Sequence, residues 1–315
     1  MPKKVFVTGA TGFIGANLVH RLLKEGFEVH IGTRKSSNKW RIQDVLPDVV
    51  DHDFDLLDAY AVKNLLLRIK PNIICNLAIY GGYPNQLDTQ KIINTNFIGT
   101  VNLLNACEDI DYDCFIQVGS SSEYGPKKEK MSENMLLEPT TTYGVSKAAA
   151  STYAQFIAKT KDKPIVVVRP FSPFGYFEEP TRLIPSLIKS CLENHNPELA
   201  SPSAVRDFIF VEDLIDAFML ITQNVSKVKG EILNIGRGEQ ISVEEIAKII
   251  ISLTNLKLFP KFGMVKPRIY DSHIWLADIS KIKKLLGWKP KTDIKTGLKK
   301  TIQWFKENKK IYSLR

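Results

Sequence analysis

Tyr143 and Lys147 stand four positions apart in the run Tyr143-Gly144-Val145-Ser146-Lys147, and residues at that spacing share one face of a helix. The pair suits acid–base work on an alcohol or a carbonyl. A free phenol titrates near pH ~10. A neighbouring ammonium, together with the positive ring of an oxidised nicotinamide, favours the phenolate. Tyr143 can then give or take a hydroxyl proton while hydride moves to or from the nicotinamide, with Lys147 holding the ribose hydroxyls. Upstream, the strand-like run Cys114 to Val118 ends in Gly119-Ser120-Ser121-Ser122-Glu123-Tyr124-Gly125. The carboxyl end of such a strand is where open α/β sheets bind ligands, so Ser120 is placed to hydrogen-bond the reacting oxygen. Taken alone, a YxxxK pair is also an ordinary surface turn of a helix, and its weight comes from what precedes it.

What precedes it is a phosphate loop. Gly9-Ala10-Thr11-Gly12-Phe13-Ile14-Gly15 lies between a short apolar run and an amphipathic one. Gly9 permits a tight turn off a strand, Gly12 lets backbone approach a diphosphate, and Gly15 lets the helix pack on the sheet. The free N–H groups and dipole of the helix start then favour the anion. The second strand ends in Gly32-Thr33-Arg34-Lys35-Ser36-Ser37, with no acid to grip a ribose. Arg34 or Lys35 can pair with a 2′-phosphate, which favours NADP(H) over NAD(H). The alternative is an NAD enzyme in which Arg34 stacks on adenine or is simply a surface residue.

The elements that must carry these residues follow from periodicity. Strands are expected at Lys3 to Thr8, Phe27 to Thr33, Val49 to Phe54, Asn72 to Leu77, Cys114 to Val118, Pro164 to Val168 and Glu231 to Ile235. Helices are expected at Gly12 to Lys24, Ala59 to Ile69, Thr89 to Glu108, Thr142 to Lys161, Val243 to Leu253 and Lys295 to Glu307. Strand and helix alternate, which predicts a doubly wound parallel sheet of Rossmann type. After Arg169 the prolines Pro170, Pro173, Pro180 and Pro185 make a regular βα unit unlikely. A smaller mixed α/β lobe for the substrate is expected there. The dinucleotide-binding domain then comprises 1–168 plus about 205–236, and the substrate lobe 169–204 plus 237–315.

At 315 residues, with 44% hydrophobic and 24% charged residues, the chain has the make-up of a globular protein of two lobes. No apolar run reaches the ~18 to 20 residues of a membrane span, and no signal-peptide pattern opens the chain. Cys75, Cys107, Cys114 and Cys191 are scattered, without metal spacing, and read as thiols of a reducing compartment. A cytoplasmic location and the absence of a metal site are the expectations. The formal charge of +9 is spread over dispersed lysines, and no nucleic-acid module accompanies it.

Together these residues resemble the extended short-chain dehydrogenase/reductase superfamily, in its nucleotide-sugar epimerase/dehydratase/reductase branch. The likeness runs over nearly the whole chain. It takes in Thr8 to Gly15, Asp55-Leu56, Asn76-Leu77-Ala78, Asn96 with Gly99-Thr100, the serine run before Tyr124-Gly125, Tyr143 and Lys147, and Arg169-Pro170-Phe171. It continues through Arg206-Asp207-Phe208 to Asp213, Asn234-Ile235-Gly236, and Leu276 to Trp288. The resemblance implies that Thr11, Phe13 and Ile14 join the glycines in the cofactor loop, that Asp55 and Leu56 contact adenine, and that Leu77 and Ala78 line the cofactor groove. It implies that Ser120 is the catalytic hydroxyl, that Ser121 and Ser122 meet the sugar, and that Pro170 and Phe171 flank the nicotinamide. Arg206 and Arg268 would hold the substrate diphosphate. A homodimer through the helices at Thr89 to Glu108 and Thr142 to Lys161 is implied as well.

Departures from the family pattern narrow the expectation. Dehydratases of this branch carry Asp-Glu after the catalytic hydroxyl, where this chain has Ser121 and Ser122. Glu123 is one step late, and on a strand one step can point to the other face. The family's usual Asn after the Arg-Pro stretch is Ser172, which puts that substrate contact in doubt. The expected activity is an NADPH-dependent 4-keto-6-deoxysugar reductase acting on a nucleotide-diphosphate sugar. The alternatives are a 4-epimerase that retains its cofactor and a non-catalytic dinucleotide-binding protein.

Overall fold

The computed structural model describes residues 2–83, 85–265 and 274–309. Seven parallel strands form one sheet: β1 (Lys4–Thr8), β2 (Glu28–Thr33), β3 (Val50–Asp53), β4 (Ile73–Asn76), β5 (Cys114–Val118), β6 (Ile165–Pro170) and β7 (Ile232–Ile235). Their order across the sheet is β7-β6-β5-β4-β1-β2-β3. The order reverses between β1 and β4, and that switch point opens a crevice at the carboxyl ends of the strands. β4, β5 and β6 are buried along their whole length, as strands covered on both faces must be. The fold is the doubly wound Rossmann type.

Helices α1 (Phe13–Lys24), α2 (Ala59–Ile69), α3 (Thr89–Ile93), α4 (Gly99–Ala106) and α5 (Thr142–Thr160) cross between the strands. One apolar core on one side of the sheet takes in Leu18, Leu22, Val5, Ile116 and Phe218, and a second takes in Phe6, Leu66, Leu103, Phe115 and Ile157. Most expected element bounds fall within one residue of those observed, but Thr89 to Glu108 is not one regular helix. A π-turn at Asn94–Ile98 separates α3 from α4, and Cys107–Asp109 closes in a 3₁₀ turn. The wide turn accommodates Asn96, whose buried amide clamps the Tyr80 backbone (N–H to Oδ1 2.8 Å, Nδ2 to carbonyl 2.8 Å) and donates to Ser146 Oγ at 2.9 Å. Such turns often accompany sites.

The proline-rich stretch is more regular than its composition suggests. Ser172–Phe174 pairs in parallel with Phe208–Phe210, and α6 (Leu183–Leu192) follows. Pro185 sits in the first turn of α6, where its missing N–H costs no hydrogen bond. Helix α7 (Val211–Gln223), which periodicity did not single out, packs Leu214, Ile215 and Phe218 into the sheet core. α6, α8 (Val243–Thr254) and α9 (Ile294–Glu307) enclose a third core around Phe174, Ile188, Ile246 and Leu298. With the short strand pairs they make the smaller mixed lobe. Asp207 joins the parts: it is buried and accepts N–H groups from Arg237 (2.6 Å), Gly238 (3.0 Å) and Ala277 (3.0 Å). No helix among the described residues is long and apolar enough to cross a membrane. All four cysteines are buried and reduced.

Candidate active site

A cavity of about 1180 Å³ lies along the carboxyl ends of the strands. Its floor at one end is the loop after β1. Gly9 has φ +67°, and a Cβ there would meet the Leu77 carbonyl carbon at 2.5 Å; a Cβ on Gly15 would meet the Gly9 oxygen at 2.1 Å. The turn therefore exists only without side chains at those two positions. Gly12 caps α1 and no side chain occupies the cap, so the first N–H groups of the helix face the cavity, a fit for a diphosphate. Thr11, Phe13 and Ile14 line the same wall, as do Asp55, Leu56, Leu77 and Ala78. Asp55 Oδ1 accepts the Leu57 N–H at 2.9 Å, and the Ala78 N–H is held by Thr8 Oγ1 at 3.2 Å.

The two basic candidates at the end of β2 separate. Arg34 lines the cavity beside Ser36, Ser37 and Asn38, and its backbone N–H donates to Ser37 Oγ at 3.0 Å. Lys35 is outside the wall: its ammonium is 90% exposed and faces Asp53 at 3.6 Å. The chain leaves β2 at Thr33 and closes a turn in which the Ser37 N–H donates to the Arg34 carbonyl at 2.8 Å, and this turn sets the two side chains apart.

At the other end the wall carries Ser120, Ser121, Ser122, Tyr143, Pro170, Phe171, Ser172 and Arg206. Ser121 Oγ accepts the indole N–H of Trp275 at 3.2 Å. Arg206 lies 5.4 Å over the Trp275 ring and donates to the Val205 carbonyl at 2.6 Å. Arg268 lies outside the described residues. Thr141 caps α5 by accepting the Gly144 N–H at 3.0 Å, which sets Tyr143 in the first turn.

Tyr143 differs from expectation in one respect. Burial pushes its phenol above the ordinary value, and a hydrogen bond with Ser120 and the charge of Arg182 only partly oppose this. Desolvation outweighs the cations, so the phenol is kept as the acid. Lys147 is buried and outside the cavity wall, and its ammonium donates to the Val118 carbonyl. Burial pulls it down to about 8, with Glu123 acting in the other direction. Glu123 does not reach the cavity. It ends a 3₁₀ turn, Ser121–Glu123, and turns inward to Ser120 N–H, Ser151 and Arg169.

Four cavity residues carried no signal in the sequence: Arg41, Tyr83, Glu178 and Arg182. Arg41 spans the crevice, donating to the carbonyls of Thr11 (3.3 Å) and Phe177 (2.7 Å) and pairing with Glu179 at 2.9 Å. Arg182 lies 5.6 Å over the Tyr83 ring. Burial raises Glu178 to about 8 against the charge of Arg182, the Gly175 N–H and Arg41, a shift toward the neutral carboxyl. Arg41 lies in the 3₁₀ turn Trp40–Ile42, Tyr83 in the chain after β4, and Glu178 and Arg182 in one stretch leading into α6, so the fold unites three parts of the chain. Among the described residues no cluster of His, Cys, Asp or Glu has the make-up of a metal site.

Residues 5–236 match the family model described as NAD dependent epimerase/dehydratase family. A curated relative from Bacillus subtilis, an uncharacterized UDP-glucose epimerase, is 30% identical over 313 residues, covering 96% of this chain and 97% of the relative. The solved UDP-glucuronic acid 4-epimerase from Bacillus cereus, in complex with UDP-glucuronic acid and NAD, is 28% identical with a TM-score of 0.86, over 96% of this chain and 99% of that one. The dTDP-glucose 4,6-dehydratase from Bacillus anthracis, in complex with NAD, is 26% identical with a TM-score of 0.86, over 98% of each chain.

Proposed function

The chain belongs to the NAD dependent epimerase/dehydratase family, and from that premise we propose that it is an NADPH-dependent reductase of a nucleotide-diphosphate 4-keto-6-deoxysugar. The observation that carries this reading is the wall around Tyr143: hydroxyls at Ser120, Ser121 and Ser122, and Glu123 turned away into the protein. Water loss from a sugar needs an acid and a base beside the reacting carbons, and the serine turn offers neither. Reduction needs one proton donor, and the half-buried phenol of Tyr143 is kept in its donor form.

The dinucleotide, when bound, supplies hydride to the carbonyl carbon. Gly9, Gly12 and Gly15 leave room for its diphosphate, and Arg34 supports the 2′-phosphate form, with Lys35 playing no part. Ser120 polarises the carbonyl oxygen, Tyr143 passes its proton to that oxygen, and Lys147 holds positive charge nearby. Arg206 is the cavity cation suited to the substrate diphosphate, since a planar fork binds phosphate oxygens in pairs. Dimerisation through α4 and α5 is part of the same reading. Val145 and Phe156 are exposed three turns apart on one face of α5, and Ile98, just before α4, is exposed as well.

A second reading, a 4-epimerase that keeps its cofactor, is favoured by the names of the relatives, and it uses the same three residues. The deciding experiment is native mass spectrometry of the purified protein followed by assays with NADPH and nucleotide 4-keto-6-deoxysugars. NADPH oxidation matched by product is the expected result. Tightly held NAD, with interconversion of an ordinary sugar nucleotide and no NADPH consumed, would replace the reductase by the epimerase.

A further inference from the structure

We propose that Glu123, held against Arg169, is a positioning residue for the Ser120–Tyr143–Lys147 site: its carboxylate fixes the turn that carries Ser120 and supplies the counter-charge for Lys147. The inference rests on the oxidoreductase reading above and adds a residue that the cavity itself does not display.

The geometry begins with complete burial of the Glu123 carboxylate. Oε1 accepts the Ser120 N–H at 2.8 Å and the Ser151 hydroxyl at 2.8 Å, and Oε2 accepts Arg169 Nε at 2.7 Å. A carboxylate removed from water is tolerated only when donors surround it, and three do so here. The Ser120 hydroxyl completes a capping box by accepting the Ser122 N–H at 3.1 Å. Arg169 continues to the Tyr124 hydroxyl at 3.0 Å, which donates to Asn234 Oδ1 at 2.7 Å. Glu123 thus ties the end of β5 to α5 and β6, and Arg169 and Tyr124 extend the link to β7. Gly119 makes the space: a Cβ there would lie 2.3 Å from Glu123 Oε1 and 2.7 Å from Ser151 Oγ.

The electrostatics point the same way. Lys147 is buried, forms no ion pair among the described residues and is bonded to the Val118 carbonyl. Glu123 is the one charge that favours its ammonium. Tyr143 is faced by Ser120, Arg182, Glu123 and Tyr83, and Glu123 favours its protonated form. Removing the negative charge therefore moves both groups in one direction, toward earlier loss of their protons as pH rises.

The test uses Glu123→Gln, which keeps size and can still accept the Ser120 and Ser151 donors but turns an amide NH2 toward Arg169, and the double variant Glu123→Gln with Arg169→Gln, which leaves no unpaired buried cation. NMR of protein labelled at the lysine side chains follows the Lys147 titration without any substrate, and steady-state kinetics follows turnover against pH. Both variants are expected to keep KM within about threefold and to lose about tenfold in kcat. The Lys147 midpoint and the alkaline limb of kcat are expected to fall together, by about one pH unit in the single variant and by less in the double variant, which also loses the positive charge of Arg169. If the single variant does not fold, the double variant decides. A folded double variant whose Lys147 midpoint and alkaline limb coincide with those of the unaltered protein overturns the proposal, whatever its kcat. A double variant that cannot fold also overturns it, by making the pair purely architectural. Absence of all turnover in the unaltered protein would remove the reductase and epimerase readings while the Lys147 titration still tests Glu123.

Discussion

The two ends of the cavity solve opposite problems. At the phosphate loop the chain contributes almost nothing but backbone: Gly9 and Gly15 work because no Cβ fits, and the helix start carries no side-chain cap. At the serine turn the chain contributes buried charge: Glu123, Lys147 and Arg169 all lie out of water beside the half-buried Tyr143. The first end binds by absence and tolerates no addition. The second end sets proton affinities and tolerates no loss of charge. Substitutions at the two ends should therefore separate binding from turnover.

The largest separation is expected at Tyr143. Tyr143→Phe removes the proton donor and leaves the ring, so kcat should fall by roughly 10² to 10⁴, with dinucleotide affinity and melting temperature unchanged. Unchanged turnover in this variant would remove the phenol from the mechanism. At the other end, Gly9→Ala forces a side chain into a left-handed conformation and against the Leu77 backbone. Dinucleotide affinity by calorimetry should drop by about 100-fold, near 3 kcal/mol. Gly26→Ala is the control. It shares a positive φ of +80° but meets nothing within 4 Å, so its cost should be the backbone term alone, about 1 to 2 kcal/mol of stability, with binding intact.

A smaller effect sharpens the reading of the adenosine end. Arg34→Ala should raise KM for NADPH about tenfold while changing KM for NADH less than about twofold, since one charge-assisted contact to a 2′-phosphate has that order of worth. Lys35→Ala should leave both within about twofold, because its ammonium is exposed and turned to Asp53. Equal losses for NADPH and NADH at Arg34 would place that guanidinium on a part of the dinucleotide common to both.

How much of this was legible in the sequence follows the same division. The glycine loop and the succession of β1 to β7 along the chain were readable because local spacing and alternation encode them. Tyr143 and Lys147 were readable as a pair, but not the direction of the Tyr143 shift, since desolvation depends on what the fold packs around the ring. The cavity residues Arg41, Glu178 and Arg182 come from irregular chain, where no periodicity reports on facing. The π-turn in Thr89 to Glu108 was hidden because a one-residue widening leaves helical spacing almost intact. α7 was passed over although Leu214, Ile215 and Phe218 follow helical spacing; the proline-rich stretch before it masked the return to regular structure. Glu123 was read as one step late on a strand; it belongs instead to a 3₁₀ turn and is drawn inward by Arg169.

The smallest expected effect lies beyond the phosphate loop, at the sheet edge, and shows that the two ends respond to opposite extremes of pH. His30 on β2 and His52 on β3 stack with ring centroids 5.3 Å apart and share a hydrogen bond of 3.0 Å, and His30 also reaches Glu28 at 2.9 Å. Burial lowers the proton affinity of His52, and the charges of His30 and Arg68 add to this against Asp51. A histidine depressed in the folded state takes up its proton more readily when unfolded. Its stabilising contribution is therefore complete above its unfolded value of ~6.5 and is lost as pH falls below that. Thermal unfolding of the unaltered protein and of His52→Asn, compared from pH 8 to pH 5, should show the two melting temperatures converging by a few degrees toward acid, while the alkaline decline of turnover set by Lys147 is the same in both. A gap that stays constant across that range would mean that His52 keeps one protonation state throughout, and that the pH response of this fold is confined to its chemical end.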